Sequence, residues 1–144
     1  MPRYHLFQLS PSEHHLSRIE AGDRQLEICR MKAGFGQIDE AIAEGMFRHA
    51  AVIDARNEEA AFYKCFALAE PGKEADPKIV HADAGFRSAA VGDILVDAGG
   101  GEAWMCATFG WEVLSWDRCA SFLVLAQTRQ AELDLEDEDI KPAA

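Results

Sequence analysis

Apolar positions along the chain switch between alternate spacing, the mark of a strand, and spacing of three and four, the mark of a helix face. Residues 4–9 (YHLFQL) read as a short strand. A helix start follows: Ser10 caps, Pro11 suits the first helical position, and Glu13 sits three residues after the cap. Leu16 and Ile19 would face inward, and Gly22 and Asp23 would end this helix. Residues 25–31 (QLEICRM) fit a helix and a strand equally well. Ile38, Ala41 and Ile42 mark a short helix over 37–45, with Gly45 as its stop. Residues 46–54 read as a strand that carries Phe47, Ala51 and Ile53 into the core. Asn57 caps a helix running to Leu68, with Glu58 and Glu59 complementing its dipole and an aromatic stripe facing the core.

Pro71, Gly72, Asp76 and Pro77 mark 70–86 as an irregular, exposed connector, with a short strand at Ile79 and Val80. Residues 90–97 and 103–109 read as strands joined by a tight reversal at Gly99, Gly100 and Gly101. Gly110 and Trp111 turn into a third strand over 112–115. Residues 120–128 (ASFLVLAQT) suit a strand or a helix. No internal repeat is visible. The expected fold class is α+β: a small twisted antiparallel sheet centred on 90–115, with helices packed on one face and the 57–68 helix foremost among them. Residues 1–131 make a single domain. Residues 132–144 make an acidic tail expected to be disordered, because like charges three and four apart repel on a helix.

Charge sharpens the picture. The 144 residues carry a net charge of −11. Residues 1–131 hold 13 basic and 19 acidic side chains, and 132–144 hold Lys141 against six acids. A chain without a basic cluster is a poor displacer of counterions from phosphates, so direct nucleic-acid binding is not expected. No apolar run approaches the roughly 18 residues of a membrane span, and the N-terminal residues lack the pattern of a signal peptide. A cytoplasmic location and no membrane partner are the expectation. Cys29, Cys65, Cys106 and Cys119 are widely spaced without a C-x-x-C pair, so buried, inert thiols are expected rather than a zinc or redox site.

Few residues suggest chemistry. His14 and His15 are adjacent, hence about 100° apart on a helix, and His5, His49 and His81 have no acidic partner at chelating spacing. Neither metal nor cofactor is expected. No G-x-S-x-G elbow or phosphate-binding glycine loop is present, and no catalytic residue is assigned. Asp93 is placed to accept backbone N–H groups or to pair with Arg87 and so fix the turn into its strand, with partner binding as the alternative role for Arg87. Trp111 is expected in the core beside Phe109, while Trp104 and Trp116 are partly exposed candidates for a partner interface.

The segment Phe86-Arg87-Ser88-Ala89-Ala90-Val91-Gly92-Asp93-Ile94-Leu95-Val96, with Ala107-Thr108-Phe109-Gly110-Trp111-Glu112 after a glycine turn, resembles an R-S-x-S-V-G-D run followed by a G-W/F ending. That pattern resembles the small YodL-like domains of phages, plasmids and integrative elements. Residues 47–55 and 59–62 are similar to the family's strand-then-helix segment, so the resemblance spans 46–116. Its second serine is replaced here by Ala89 or Ala90, and the 70–84 connector lacks a tryptophan.

The resemblance implies a mobile-element context and a non-enzymatic adaptor. The expected function is therefore a protein-binding module, read as an inhibitor of a host defence complex of the CRISPR kind. Its partner would be a protein complex with a basic nucleic-acid groove. Candidate contact residues are Arg87, Trp104, Trp116, Glu132, Asp134, Glu136, Asp137, Glu138 and Asp139. The alternatives are an accessory protein for plasmid or phage maintenance and a small enzyme acting through Arg87 and Asp93.

Overall fold

The computed structural model describes residues 2–66 and 77–140, with side chains through Glu136. Six strands form one open antiparallel sheet: β1 (Arg3–Leu9), β2 (Phe47–Asp54), β3 (Lys78–Ala82), β4 (Ile94–Asp97), β5 (Glu102–Ala107) and β6 (Gly110–Val113). Their order across the sheet is β3-β2-β1-β4-β5-β6. The helices are α1 (Glu13–Glu20), α2 (Arg24–Ala33), α3 (Asp39–Ala43), α4 (Glu58–Phe66) and α5 (Trp116–Ile140). The expected α+β class and antiparallel sheet stand.

Helices cover both faces of the sheet rather than one. Tyr4, Leu6, Ile53, Leu95 and Trp104 pack with Ala60, Ala61 and Cys65 of α4. Phe7, Ile94, Val96 and Met105 pack on the other face with Leu26, Cys29, Ala41, Phe122 and Ala126 of α2, α3 and α5. Alternation along β1 and β4 divides their side chains between the two cores. β1 lies between β2 and β4 and is buried on both faces, so its polar residues His5 and Gln8 are buried along with Tyr4, Leu6 and Phe7 and depend on hydrogen-bond partners. Each fully buried large side chain in these cores contributes about 1.5–3 kcal/mol.

The ambiguous segments 25–31 and 120–128 are both helical, within α2 and α5. Residues 132–140, expected to be disordered, continue α5. The helix is already nucleated by its packed N-terminal half, so extension adds one hydrogen bond per residue fixed. Arg129 also meets Glu132 at 3.0 Å and Glu136 at 3.8 Å, offsetting part of the repulsion.

Helix α1 starts two residues later than expected. The Ser10 N–H donates to Met46 O at 2.7 Å, which keeps Ser10 beside the approach to β2. Ser12 caps instead, and His15 completes the capping box by accepting the Ser12 N–H at Nδ1. Ile19 packs against the core and Leu16 is exposed. The Asn57 cap is as expected, its side chain accepting the Ala60 N–H at 3.0 Å. Residues 67–76 and 141–144, including Leu68, Pro71, Gly72 and Asp76, lie outside the described residues.

Candidate functional site

Three places hold the residues with chemical or contact potential. The first is the turn into β4. Asp93 has no exposure, and its carboxylate accepts from the Leu9 N–H at 3.0 Å, the Ala90 N–H at 2.9 Å and Gln8 Nε2 at 3.2 Å. Arg87 closes over it, Nη1 to Oδ2 at 2.8 Å and Nη2 to Oδ1 at 3.2 Å. The remaining guanidinium contacts go to Leu9 O and Ser88 O. Gln8 clamps the Arg87 backbone, donating to its carbonyl at 2.8 Å and accepting its N–H at 3.1 Å. Both roles expected of Asp93 are present together. Gly92 precedes it at φ +95°, and a Cβ there would lie 2.5 Å from Ala33 O, so the position needs glycine twice over. The pairing ties β1 to β4, and it occupies the Arg87 guanidinium that partner binding would require.

The second place spans β1, β2, β3 and α5 and was not anticipated. His5 Nδ1 lies 3.0 Å from His49 Nε2, and His49 Nδ1 lies 2.7 Å from Asp83 Oδ2. Asp83 Oδ1 also receives His81 Nε2 at 2.8 Å and Arg129 Nη2 at 3.1 Å. At the far end His5 Nε2 meets Gln130 Oε1 at 3.0 Å, and Gln130 Nε2 donates to Asp134 at 2.9 Å. Burial, and then the neighbouring His49, push the His5 imidazole down to about 4. Burial also lowers His49, against the pull of Asp83. Burial alone would raise Asp83, but hydrogen bonds from His49, His81 and Arg129 outweigh it and hold the carboxyl at about 2. His81 and Gln130 also line a small cleft of about 110 Å³ with Arg3, Val52, Val80 and Leu133. Among the described residues, no group of three or more His, Cys, Asp or Glu is arranged to hold a metal ion.

The third place is the β6 edge of the sheet. Phe109 is 97% exposed, Val113 71% and Trp116 67%. Phe109 lies in the turn before β6, Val113 is the last residue of the strand, and Trp116 opens α5 three residues later. The β5–β6 hairpin turns on Thr108 and Phe109, with Gly110 at φ +89° taking the left-handed position. Tight hairpins favour Asn and Gly in the turn, so local geometry gives no reason for a phenylalanine there. The expectation that Phe109 packs beside Trp111 is corrected, because β5 ends at Ala107 and leaves Phe109 at the hairpin tip. Trp111 stacks instead on Phe62, with centroids 4.8 Å apart and planes at 7°.

Of the expected contact residues, Trp116 is exposed as required. Trp104 is not: it is 6% exposed, edge-on to Phe62 at 5.5 Å, because α4 covers its face of β5. Glu132 and Glu136 pair with Arg129, and Asp134 accepts from Gln130. The side chains of Asp137, Glu138 and Asp139 lie outside the described residues. All four cysteines are free and buried, and burial raises each thiol, that of Cys106 to about 11, which makes them poor nucleophiles. No helix among the described residues is long and apolar enough to cross a membrane. Compared with models of protein families, with curated proteins and with solved structures, the chain matches none.

Proposed function

We propose that this protein is a protein-binding module that takes an extended, basic segment of its partner onto the β6 edge. One observation carries the reading: three large apolar side chains, each at least two-thirds exposed, follow one another at the edge of the sheet, Phe109 in the turn before β6, Val113 at its end and Trp116 at the start of α5. One row of backbone N–H and C=O groups of an edge strand faces away from its neighbour, ready to pair with an added strand. Exposed aromatic residues supply the apolar anchors that most often dominate binding energy. The net charge of −11 favours a basic partner and speeds its approach.

The biological setting rests on the YodL-like resemblance over 46–116. It points to a cytoplasmic product of a mobile genetic element that inhibits a host defence complex. In that setting the acidic side chains of α5, Glu132, Asp134 and Glu136 among them, add attraction toward a basic nucleic-acid groove. A role in plasmid or phage maintenance shares the same binding physics and differs in the partner.

Comparative pull-down from host lysate tests the reading. Wild-type protein is expected to capture a stable partner, and the triple variant Phe109→Ser, Val113→Lys, Trp116→Ser to lose it at unchanged thermal stability. Deleting 132–144 is expected to slow capture at low salt without abolishing it. Equal capture by wild type and triple variant, or no partner at all, overturns the proposal.

A further inference from the structure

We propose that the His5–His49–Asp83 chain, together with Arg129 and Gln130 of α5, is an acid-operated latch. It holds the C-terminal half of α5 on the sheet and releases it once both buried imidazoles carry an extra proton. The inference is independent of the β6 contact surface.

Three links join Asp83, His49, His5 and Gln130 in series. Two neutral imidazoles bring two ring N–H groups. One goes from His49 Nδ1 to Asp83, the strongest acceptor present. The other goes from His5 Nδ1 to His49 Nε2, which leaves His5 Nε2 to accept from the Gln130 amide group. A single added proton is accommodated: His5 then donates at both nitrogens, to His49 Nε2 and to Gln130 Oε1 at 3.0 Å, while Gln130 Nε2 holds Asp134. A second added proton is not. His5 Nδ1–H and His49 Nε2–H would point at each other across 3.0 Å, with ring centroids 5.2 Å apart.

The surroundings do not relieve that repulsion. From β1 the array faces Arg3, which already pairs with Asp54; from β3 it faces His81; from α5 it faces Arg129. Asp83 is the one carboxylate in direct contact with the imidazoles among the described residues, and it is shared by His49, His81 and Arg129. Glu132 and Glu136 lie on the far side of Arg129 and Asp134 beyond Gln130. A doubly protonated pair therefore places two cations beside Arg129 with one shared anion. The clash itself lies between β1 and β2; what reaches α5 is the repulsion between the two imidazolium charges and Arg129, which is hydrogen-bonded to Asp83 beside them and already disfavours a proton on either ring. The N-terminal half of α5 is held separately by Cys119, Phe122 and Ala126 in the core. Asp83 keeps its charge to about 2, below the about 4 of His5, so the imidazoles are the groups that change first on acidification.

NMR on the full chain tests the latch by following the imidazole resonances and the backbone order of α5 from pH 7 to about 3.5. The expected result is that His5 and His49 titrate as a coupled pair, both lowered from the ordinary histidine range. Residues 129–136 should lose order in step with the second proton while 117–126 stay rigid. His49→Gln, which removes one of the facing N–H groups, should keep 129–136 ordered across the same range. Order in 129–136 that persists while both imidazoles titrate, or an identical loss in His49→Gln, overturns the latch. If the variant does not fold, the wild-type titration decides alone, and unfolding of the whole chain in one step with the second proton also overturns it.

Discussion

Arg87 grips Asp93 with two guanidinium nitrogens, at 2.8 and 3.2 Å, around a carboxylate that has no contact with water. Removing Arg87 leaves the buried Asp93 carboxylate without its counter-charge, at a cost of about 3 kcal/mol, the low end for a buried pair, because the Arg87 side chain is 43% exposed and three N–H donors stay on the carboxylate. Arg87→Ala should therefore lower the urea midpoint by that amount with no change in the slope of the transition. Asp93→Ala should cost as much, because the Leu9 and Ala90 N–H groups lose their acceptor while Arg87 regains water on its exposed side. A midpoint within experimental error of wild type for either variant contradicts the assignment of this pair as the tie between β1 and β4.

Phe62 stacks on Trp111 and meets Trp104 edge-on. Phe62→Ala removes both contacts and opens space under α4. It should destabilise by roughly 3 kcal/mol, the low end for a phenylalanine, because Phe62 is only partly buried. Tryptophan emission should shift to the red as Trp104 and Trp111 gain water. An unchanged melt and an unchanged spectrum would remove α4 from the core.

These contacts show what could be read from the sequence. The Asn57 cap, the Gly45 stop and the Arg87–Asp93 turn involve residues no more than six apart, and local pattern carries them. The His5–His49–Asp83–Arg129 array joins residues 44, 34 and 46 positions apart, which only strand order and the placement of α5 bring together. A histidine between the apolar Tyr4 and Leu6 of a strand, as His5 is, was the one signal available. Trp104 was misplaced for a related reason. Alternation implies a solvent face only when one side of a sheet is bare, and here α4 covers that side. The helical 132–140 segment shows a cooperative effect, since charge repulsion opposes starting a helix more than it opposes continuing one.

Acid should weaken the fold in two windows. His5 has a folded value of about 4 against an ordinary 6.5, so the stability it contributes is complete above 6.5 and is lost as pH falls toward 4. That displacement corresponds to roughly 3 kcal/mol. Lowered His49 acts in the same direction. Asp83, held near 2 against 3.8, contributes stability that is present above 3.8 and lost as pH falls through 2. Urea unfolding at a series of pH values should show the first loss in wild type and a smaller one in His5→Gln. A wild-type stability that is flat between pH 6.5 and 4 contradicts the burial of a neutral His5.

Contact at the β6 edge is the central claim, and site-resolved photo-crosslinking in host cells tests it most directly. A photoreactive residue replaces Glu112, exposed on β6, or Glu27, exposed on α2. The account predicts one discrete cross-linked protein from position 112, its yield falling sharply when Phe109 and Trp116 are changed to serine, and none from position 27. Cross-linking of that same protein from position 27, or none from position 112, would contradict it.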